Sequence, residues 1–339
     1  MLFRKQEHEP LAGGPWDERA ARYAIADIVD EATAALSPRE GGIYEGDEGE
    51  AHALRALGAA VELRAPDHGD DFSYATGELG VGLAAHDRER VERAARKCIE
   101  SPANELLYGA AGALVAAVLL DLDDVARSAV ERLWSTWTFD SKLRACIWTQ
   151  ELISGRQGQH LGFAHGLAGN AYALMRGSRY QTQQHQRELL DRAVEALNRT
   201  ALRDRSLINW PPAPDSRADE LRVQWCHGAP GVVCALAGAP AHRELDELLL
   251  AAGELVWTAG PLRKGAGLCH GTAGNGFAFL KLFRRTRDPK WLERARRFAM
   301  HAIRQRQGER GLYTGDVGVA LYLRACIDVD DRWPLLDVL

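Results

Sequence analysis

Residues 267–274 read G-L-C-H-G-T-A-G, residues 224–231 read Q-W-C-H-G-A-P-G, and residues 162–169 read G-F-A-H-G-L-A-G. Each segment closes on Gly-x-x-Gly, with a histidine immediately before the first glycine. Followed by an apolar run, the same glycine pair occurs seven times in the 339-residue chain: Gly46/Gly49, Gly77/Gly80, Gly109/Gly112, Gly166/Gly169, Gly228/Gly231, Gly271/Gly274 and Gly315/Gly318. A single pair carries almost no information. Seven copies, each opening an apolar run, mark a repeat architecture.

The runs that follow the glycines include GALVAAVLL from Gly112, NAYALM after Gly169, VVCALAG after Gly231 and GFAFLKLF from Gly276. They are apolar nearly all round, which predicts helices buried on most sides. Between them lie charged, amphipathic stretches such as RELLDRAVEALNRTA and KWLERARRFAMHAIRQRQ. In the second, Trp291, Leu292, Ala295, Phe298, Ala299 and Ala302 recur at helical spacing. Longer intervals carry insertions such as NWPPAPDSRADE, where Pro and Asp break any helix. No alternating pattern of any length predicts more than minor strands. Buried helices alternating with half-exposed ones point to an all-α fold, an inner ring enclosed by an outer ring. Seven units predict a seven-fold α/α toroid of seven helix pairs. An open α-solenoid is the competing arrangement. Residues 1–40 read as an N-terminal helical lead-in and residues 41–339 as the toroid. The glycine pairs are expected to let neighbouring backbones crowd at the mouth.

If each glycine pair opens an inner helix, equivalent offsets share one mouth. Cys226 and Cys269 both stand two residues before their first glycine, and His270 follows Cys269. On a regular helix adjacent side chains diverge by about 100°, but in a turn Cys269 and His270 can converge on one ion. Two thiols and an imidazole at equivalent points form a zinc ligand set with one position open. Two thiolates and a neutral imidazole cancel the charge of the ion, making it a poor Lewis acid for water. Such a site favours holding a further thiol as thiolate, where a free thiol has a pKa of about 8.5. The electronics therefore favour sulfur addition or alkylation over hydrolysis. His165 has the offset of His227 and His270 and is a candidate general acid/base. Glu105 and Arg222 are further candidates to face the cavity. His227, beside a ligand, reads as a packing or ligand-supporting residue.

Composition narrows the function classes. The chain is 46% apolar and 26% charged with a net charge of −5, so nothing points to nucleic acid or an anionic membrane. No apolar run approaches the ~18 residues of a membrane span. The charged start, MLFRKQEHEP, lacks the apolar core of a signal peptide, and a cytoplasmic location is expected. Of the six cysteines, Cys98, Cys146, Cys234 and Cys326 sit among apolar or helix-forming neighbours and read as small buried hydrophobes.

The segments N-E-L-L-Y-G (104–109), G-F-A-H-G-L-A-G, W-C-H-G-A-P-G-V and K-G-A-G-L-C-H-G-T-A-G-N resemble the lanthionine synthetase C family, and more closely its LanC-like branch. The resemblance covers all seven glycine pairs. It implies a toroid with zinc on Cys226, Cys269 and His270. It also implies Michael addition of a thiol to dehydroalanine or dehydrobutyrine, forming a thioether. His165 would exchange the proton, Arg222 would steady the enolate, and Glu105 stands where lantibiotic cyclases have Asp. In LanC-like proteins the thiol is attributed to glutathione, with Lys264 matching a contact residue. Tyr108 and Trp225, inside the shared motifs, are expected to meet substrate. The chain departs from the pattern at Gln224, where His is frequent, and in the short last repeat, where Arg310 is the candidate for a further glutathione contact.

Three readings follow. The first is a zinc-dependent enzyme joining glutathione or a peptide cysteine to a dehydroamino-acid-containing peptide or protein. The second is a non-catalytic zinc- and glutathione-binding scaffold on the same fold. The third is another α/α-toroid enzyme. Prenyltransferases of that class include Asp among their zinc ligands, however, and glycosidases need two cavity carboxylates where only Glu105 stands out.

Overall fold

The computed structural model describes residues 2–151 and 155–339. Seven helices begin at the second residue of each glycine motif: α2 (Asp47–Ala56), α3 (Glu78–Ala84), α5 (Ala110–Leu119), α7 (Leu167–Arg176), α9 (Ala229–Leu236), α11 (Thr272–Thr286) and α13 (Asp316–Asp328). They pack in sequence order, and α13 packs against α2. The inner ring is therefore closed, and the fold is an α/α toroid.

Six amphipathic helices surround it among the described residues: α1 (Glu18–Ala35), α4 (Arg88–Glu100), α6 (Asp123–Thr136), α8 (Gln183–Thr200), α10 (Arg243–Ala259) and α12 (Pro289–Gln305). Seven pairs were expected, but no helix covers the link between α2 and α3. That link carries Gly58, Pro66 and Gly69, which interrupt a helix. Buried Arg90 holds it instead, donating to the carbonyls of Ala65 (2.9 Å) and Pro66 while pairing with Glu78 (2.6 Å). Helix α1 packs on α13, α12 and α2 across the closure.

The glycine pair has a local cause. Before five of the seven inner helices (α2, α3, α7, α11 and α13) the turn folds under the first residues, so that orphan helical N–H groups donate to carbonyls seven residues back. Thr272, Ala273 and Gly274 donate to Gly265, Ala266 and Gly267 at 3.1, 2.9 and 3.3 Å. Leu167, Ala168 and Gly169 do the same to His160, Leu161 and Gly162. A Cβ on the second glycine would meet the carbonyl oxygen six residues back, at 1.8 Å for Gly274 on Leu268 and 2.0 Å for Gly231 on Trp225. The crowding thus lies within each repeat, not between the backbones of neighbouring repeats as the sequence led us to expect. Outer helices start conventionally, with Asp17, Asp87, Thr182 and Asp288 accepting backbone N–H bonds.

Successive turns are stitched together at one offset, two residues before the first glycine. Tyr44 N–H donates to Ala75, Ala75 to Leu107, Cys226 to Cys269, Cys269 to Tyr313 and Tyr313 back to Tyr44, at 2.9–3.2 Å. The last bond joins the final repeat to the first.

Two insertions lengthen the middle repeats. Hairpin β1–β2 (Thr138–Asp140, Ala145–Ile147) follows α6, and hairpin β5–β6 (Leu202–Asp204, Leu207–Asn209) follows α8. Each is pinned by a buried tryptophan just beyond it. Trp148 Nε1 donates to Leu133 (2.8 Å) and Trp210 Nε1 to Leu197 (2.9 Å), satisfying a carbonyl in the last turn of the preceding helix. A third short pair, β3 (Gln150–Glu151) and β4 (Gln157–Gly158), precedes the fourth turn. Cys98, Cys234 and Cys326 are buried as expected, whereas Cys146 in β2 is only half-buried. No helix among the described residues is long and apolar enough to cross a membrane.

Candidate thiol and metal centre

The stitched offset puts Cys226 and Cys269 on adjacent turns, joined by the Cys226 N–H to Cys269 carbonyl bond of 3.2 Å. Their thiols lie against each other and are buried, 6% and 3% exposed. The two do not ionise alike. The Cys226 thiol is brought down to about 7, first by the hydrogen bond from Cys269 and then, against burial, by His165, the Gln224 amide and Lys264. Gln224 Nε2 donates to the Cys226 sulfur at 2.8 Å. Cys269 goes the other way, because its proton is shared with a neighbouring thiolate in a buried place. The Tyr44 hydroxyl also bonds to the Cys269 sulfur.

His270 flanks this pair at intermediate exposure. Burial first, and the Lys264 charge second, lower its pKa and keep the imidazole neutral. Among the described residues no three His, Cys, Asp or Glu side chains are drawn together as a finished metal site. The donor chemistry nonetheless fits zinc: two touching thiols, one of them easily ionised, and a neutral imidazole on the next residue.

Across the same mouth, His165 Nδ1 stands 3.2 Å from Glu105 Oε2. Glu105 is fixed from below, accepting from the N–H groups of Leu107 (3.1 Å) and Tyr108 (2.6 Å). Burial opposes charge on His165, but the Glu105 carboxylate and the Cys226 sulfur outweigh it, and the pKa is raised. A third of the His165 side chain stays open (33%). His227 stacks on His165 with ring centres 5.3 Å apart and 25° between planes. Burial, then the neighbouring His165 and His160, drive the His227 pKa down to about 3, so it remains neutral.

The other residues named from sequence lie at varied distances from this centre. Lys264 is exposed on the rim, yet its charge is felt at both thiols and at His270. Tyr108 is half-buried beside Glu105 and Thr76. The Arg222 guanidinium donates to the carbonyls of Asp219 (3.3 Å) and Leu221 (3.1 Å) and lies 3.8 Å from Glu7. Trp225, expected to meet substrate, instead has no exposed surface (0%) and is stacked on Trp333. Arg310 is committed to Glu50, 2.8 Å away, and to Ser37.

Two members of the site escaped the sequence reading. Tyr44 shares the offset of the cysteines, so aligning all seven turns exposes it. His160 opens the fourth turn at an offset where no other turn carries a histidine, so it gives no such signal; its ring lies 6.0 Å from His227, and neither buried nitrogen has a partner among the described residues.

Comparison with known proteins gives the family. A family model described as Lanthionine synthetase C-like protein matches residues 26–338. Glutathione S-transferase LANCL1 of Danio rerio is 38% identical over 169 residues, 49% of this chain and 40% of the relative. LanC-like protein GCL1 of Arabidopsis thaliana is 31% identical over 264 residues, 68% of this chain and 57% of the relative. The matched chain thus spans about half the length of these curated relatives. Nisin cyclase superposes with a TM-score of 0.61 at 17% identity, over 91% of this chain and 93% of its own, a likeness of fold. With seven glycine-capped inner helices, paired cysteines on adjacent turns and a family match over nearly its whole length, this chain belongs to the lanthionine synthetase C-like family.

Proposed function

We propose that this protein adds a thiol to dehydroalanine or dehydrobutyrine residues of a peptide or protein, forming a thioether. The observation that carries the reading is the buried Cys226–Cys269 pair facing a His165–Glu105 pair across one mouth. Cys226, Cys269 and His270 would hold zinc, which when bound keeps a substrate thiol ionised at neutral pH while its own charge is cancelled by two thiolates.

The chain's other residues supply position and protons. His165 accepts the proton of the incoming thiol. The sulfur forms its bond to the β-carbon as the C=C electron pair moves onto the carbonyl, and the resulting enolate is protonated at the α-carbon by His165. Proton uptake and return balance, so no further reactant is needed. Glu105 favours the charged imidazole between these events. Arg222, released from the Leu221 and Asp219 carbonyls, steadies the enolate oxygen. Lys264 sits where it attracts an anionic thiol. Tyr108, half-buried beside Glu105, would meet the acceptor, and Trp225, packed on Trp333, would steady the Cys226 turn.

We infer glutathione as the thiol, an assignment supported by Lys264 and by the relative named as a glutathione S-transferase; a peptide cysteine uses the same centre. Incubating the zinc-loaded protein with glutathione and a dehydroalanine peptide is the test. The expected product is the peptide heavier by one glutathione. A zinc-replete protein that leaves the peptide unmodified overturns catalysis and leaves a zinc- and thiol-binding scaffold.

A further inference from the structure

Residues 330–339 enter the toroid on its axis. Trp333, Leu335 and Leu336 are at most 1% exposed. Asp337 is the anchor: its carboxylate takes Lys281 Nζ (2.7 Å), the Tyr172 hydroxyl (2.8 Å) and the Trp333 N–H (2.8 Å), and the Arg176 guanidinium reaches its carbonyl at 3.3 Å. Lys281 belongs to α11, Tyr172 and Arg176 to α7. The Tyr74 hydroxyl, before α3, donates to the Leu335 carbonyl. One short segment is thus tied to three non-adjacent inner repeats.

The segment also bends against conformational preference. Leu335, inside it and fully buried, has φ of 60°, a left-handed conformation that non-glycine residues avoid. Such conformations persist where surrounding contacts over-determine them. Here the contact obtained is an aromatic column. Trp333 stacks on Trp225 with ring centres 4.8 Å apart and 12° between planes, and Phe277 closes its edge at 4.8 Å. Trp225 immediately precedes Cys226, and Tyr313, stacked on Tyr44, borders the same column.

We infer that residues 330–339 are an internal plug, and that Trp333 is a positioning residue acting through Trp225 on the Cys226 turn. Its consequence for turnover rests on the function proposed above; its consequence for the Cys226 backbone does not. The test compares the full-length Trp333→Ala, Trp333→Leu and Trp333→Phe proteins by amide hydrogen exchange and by thiol addition. In Trp333→Ala the Cys226 amide exchanges about tenfold faster, as losing one stacked contact permits, while amides of α4 and α6 keep their rates. Trp333→Phe restores most of the protection. The kcat for thiol addition falls with the exchange, the KM for the thiol holds, and zinc stays bound. Unchanged Cys226 exchange in a folded Trp333→Ala protein overturns the inference, as does acceleration spread evenly over the molecule. If Trp333→Ala does not fold, Trp333→Leu, which keeps apolar volume without a ring, carries the same comparison. A wild-type protein inactive towards dehydroalanine defeats the proposed function and leaves the exchange result to decide the plug.

Discussion

Two thiols in contact inside a protein share their protons, and the partner that receives more help becomes the thiolate. Cys226 has that help from His165, Gln224 and Lys264, so under the proposed function it is the readier ligand. Cys226→Ala and Cys269→Ala should each lower bound zinc from about one per chain to near zero; wild-type content by elemental analysis in both would refute the ligand assignment. His165→Ala should cut thioether formation by about 10²–10⁴-fold with zinc retained. Because Glu105 raises the His165 pKa and His165 must be neutral to take the thiol proton, Glu105→Gln should move the acid-side rise of the rate–pH profile to lower pH; an unmoved profile would show the pair to be idle. Stability responds to the same raised pKa. A raised histidine pKa stabilises the fold below about pH 6.5 and loses that contribution as pH climbs through the folded value. These cysteines and His165 were legible because they share offsets from the repeated glycines. The posture of Arg222 and the burial of Trp225 were not, since both depend on segments distant in sequence, Glu7 and Trp333.

At the level of a single repeat, the glycine pair is a backbone cap for an inner helix. A Cβ at the second glycine would overlap the carbonyl oxygen six residues back, 1.8 Å away at Gly274, so backbone must shift. Gly274→Ala should therefore cost about 1–3 kcal/mol, the range of forced overpacking. Gly238→Ala, where an added Cβ meets nothing within 4 Å, should be near neutral. Denaturant midpoints measure both, and equal values would remove the capping argument. Inner and outer helices were readable from apolar periodicity because burial differs so sharply between the rings. The link after α2 was misjudged because its tether is Arg90, a residue whose charge reads as solvated surface until Glu78 and two carbonyls are seen around it. Likewise, the pinning of the hairpins by Trp148 and Trp210 could not be read from a count of intervals.

Over the whole molecule, a buried ion pair ties the axis together. Burial opposes the Asp337 carboxylate, yet Lys281, the Trp333 amide and the Tyr172 hydroxyl outweigh it and lower its pKa, while the Lys281 pKa is raised. The pair therefore stabilises the fold above about pH 3.9 and below about pH 10.4. It fails as acid titrates Asp337 through its lowered value or base titrates Lys281 through its raised one. Asp337→Asn should cost about 3–5 kcal/mol between those limits, the usual penalty for orphaning one buried partner. The gap from wild type in unfolding free energy should shrink in acid; a gap constant down to pH 2 would rule out the linkage. The hydrogen bond from Tyr313 to Tyr44 has a different kind of consequence. A string of repeats can gain or lose a copy at its margin, but a circle bolted shut admits no eighth member and survives no sixth. Divergence in such a lineage is confined to what each copy carries at its inner offset and to the loops hung between copies. That explains how one circle can keep seven glycine pairs while placing tyrosine, alanine, leucine and cysteine at the same station.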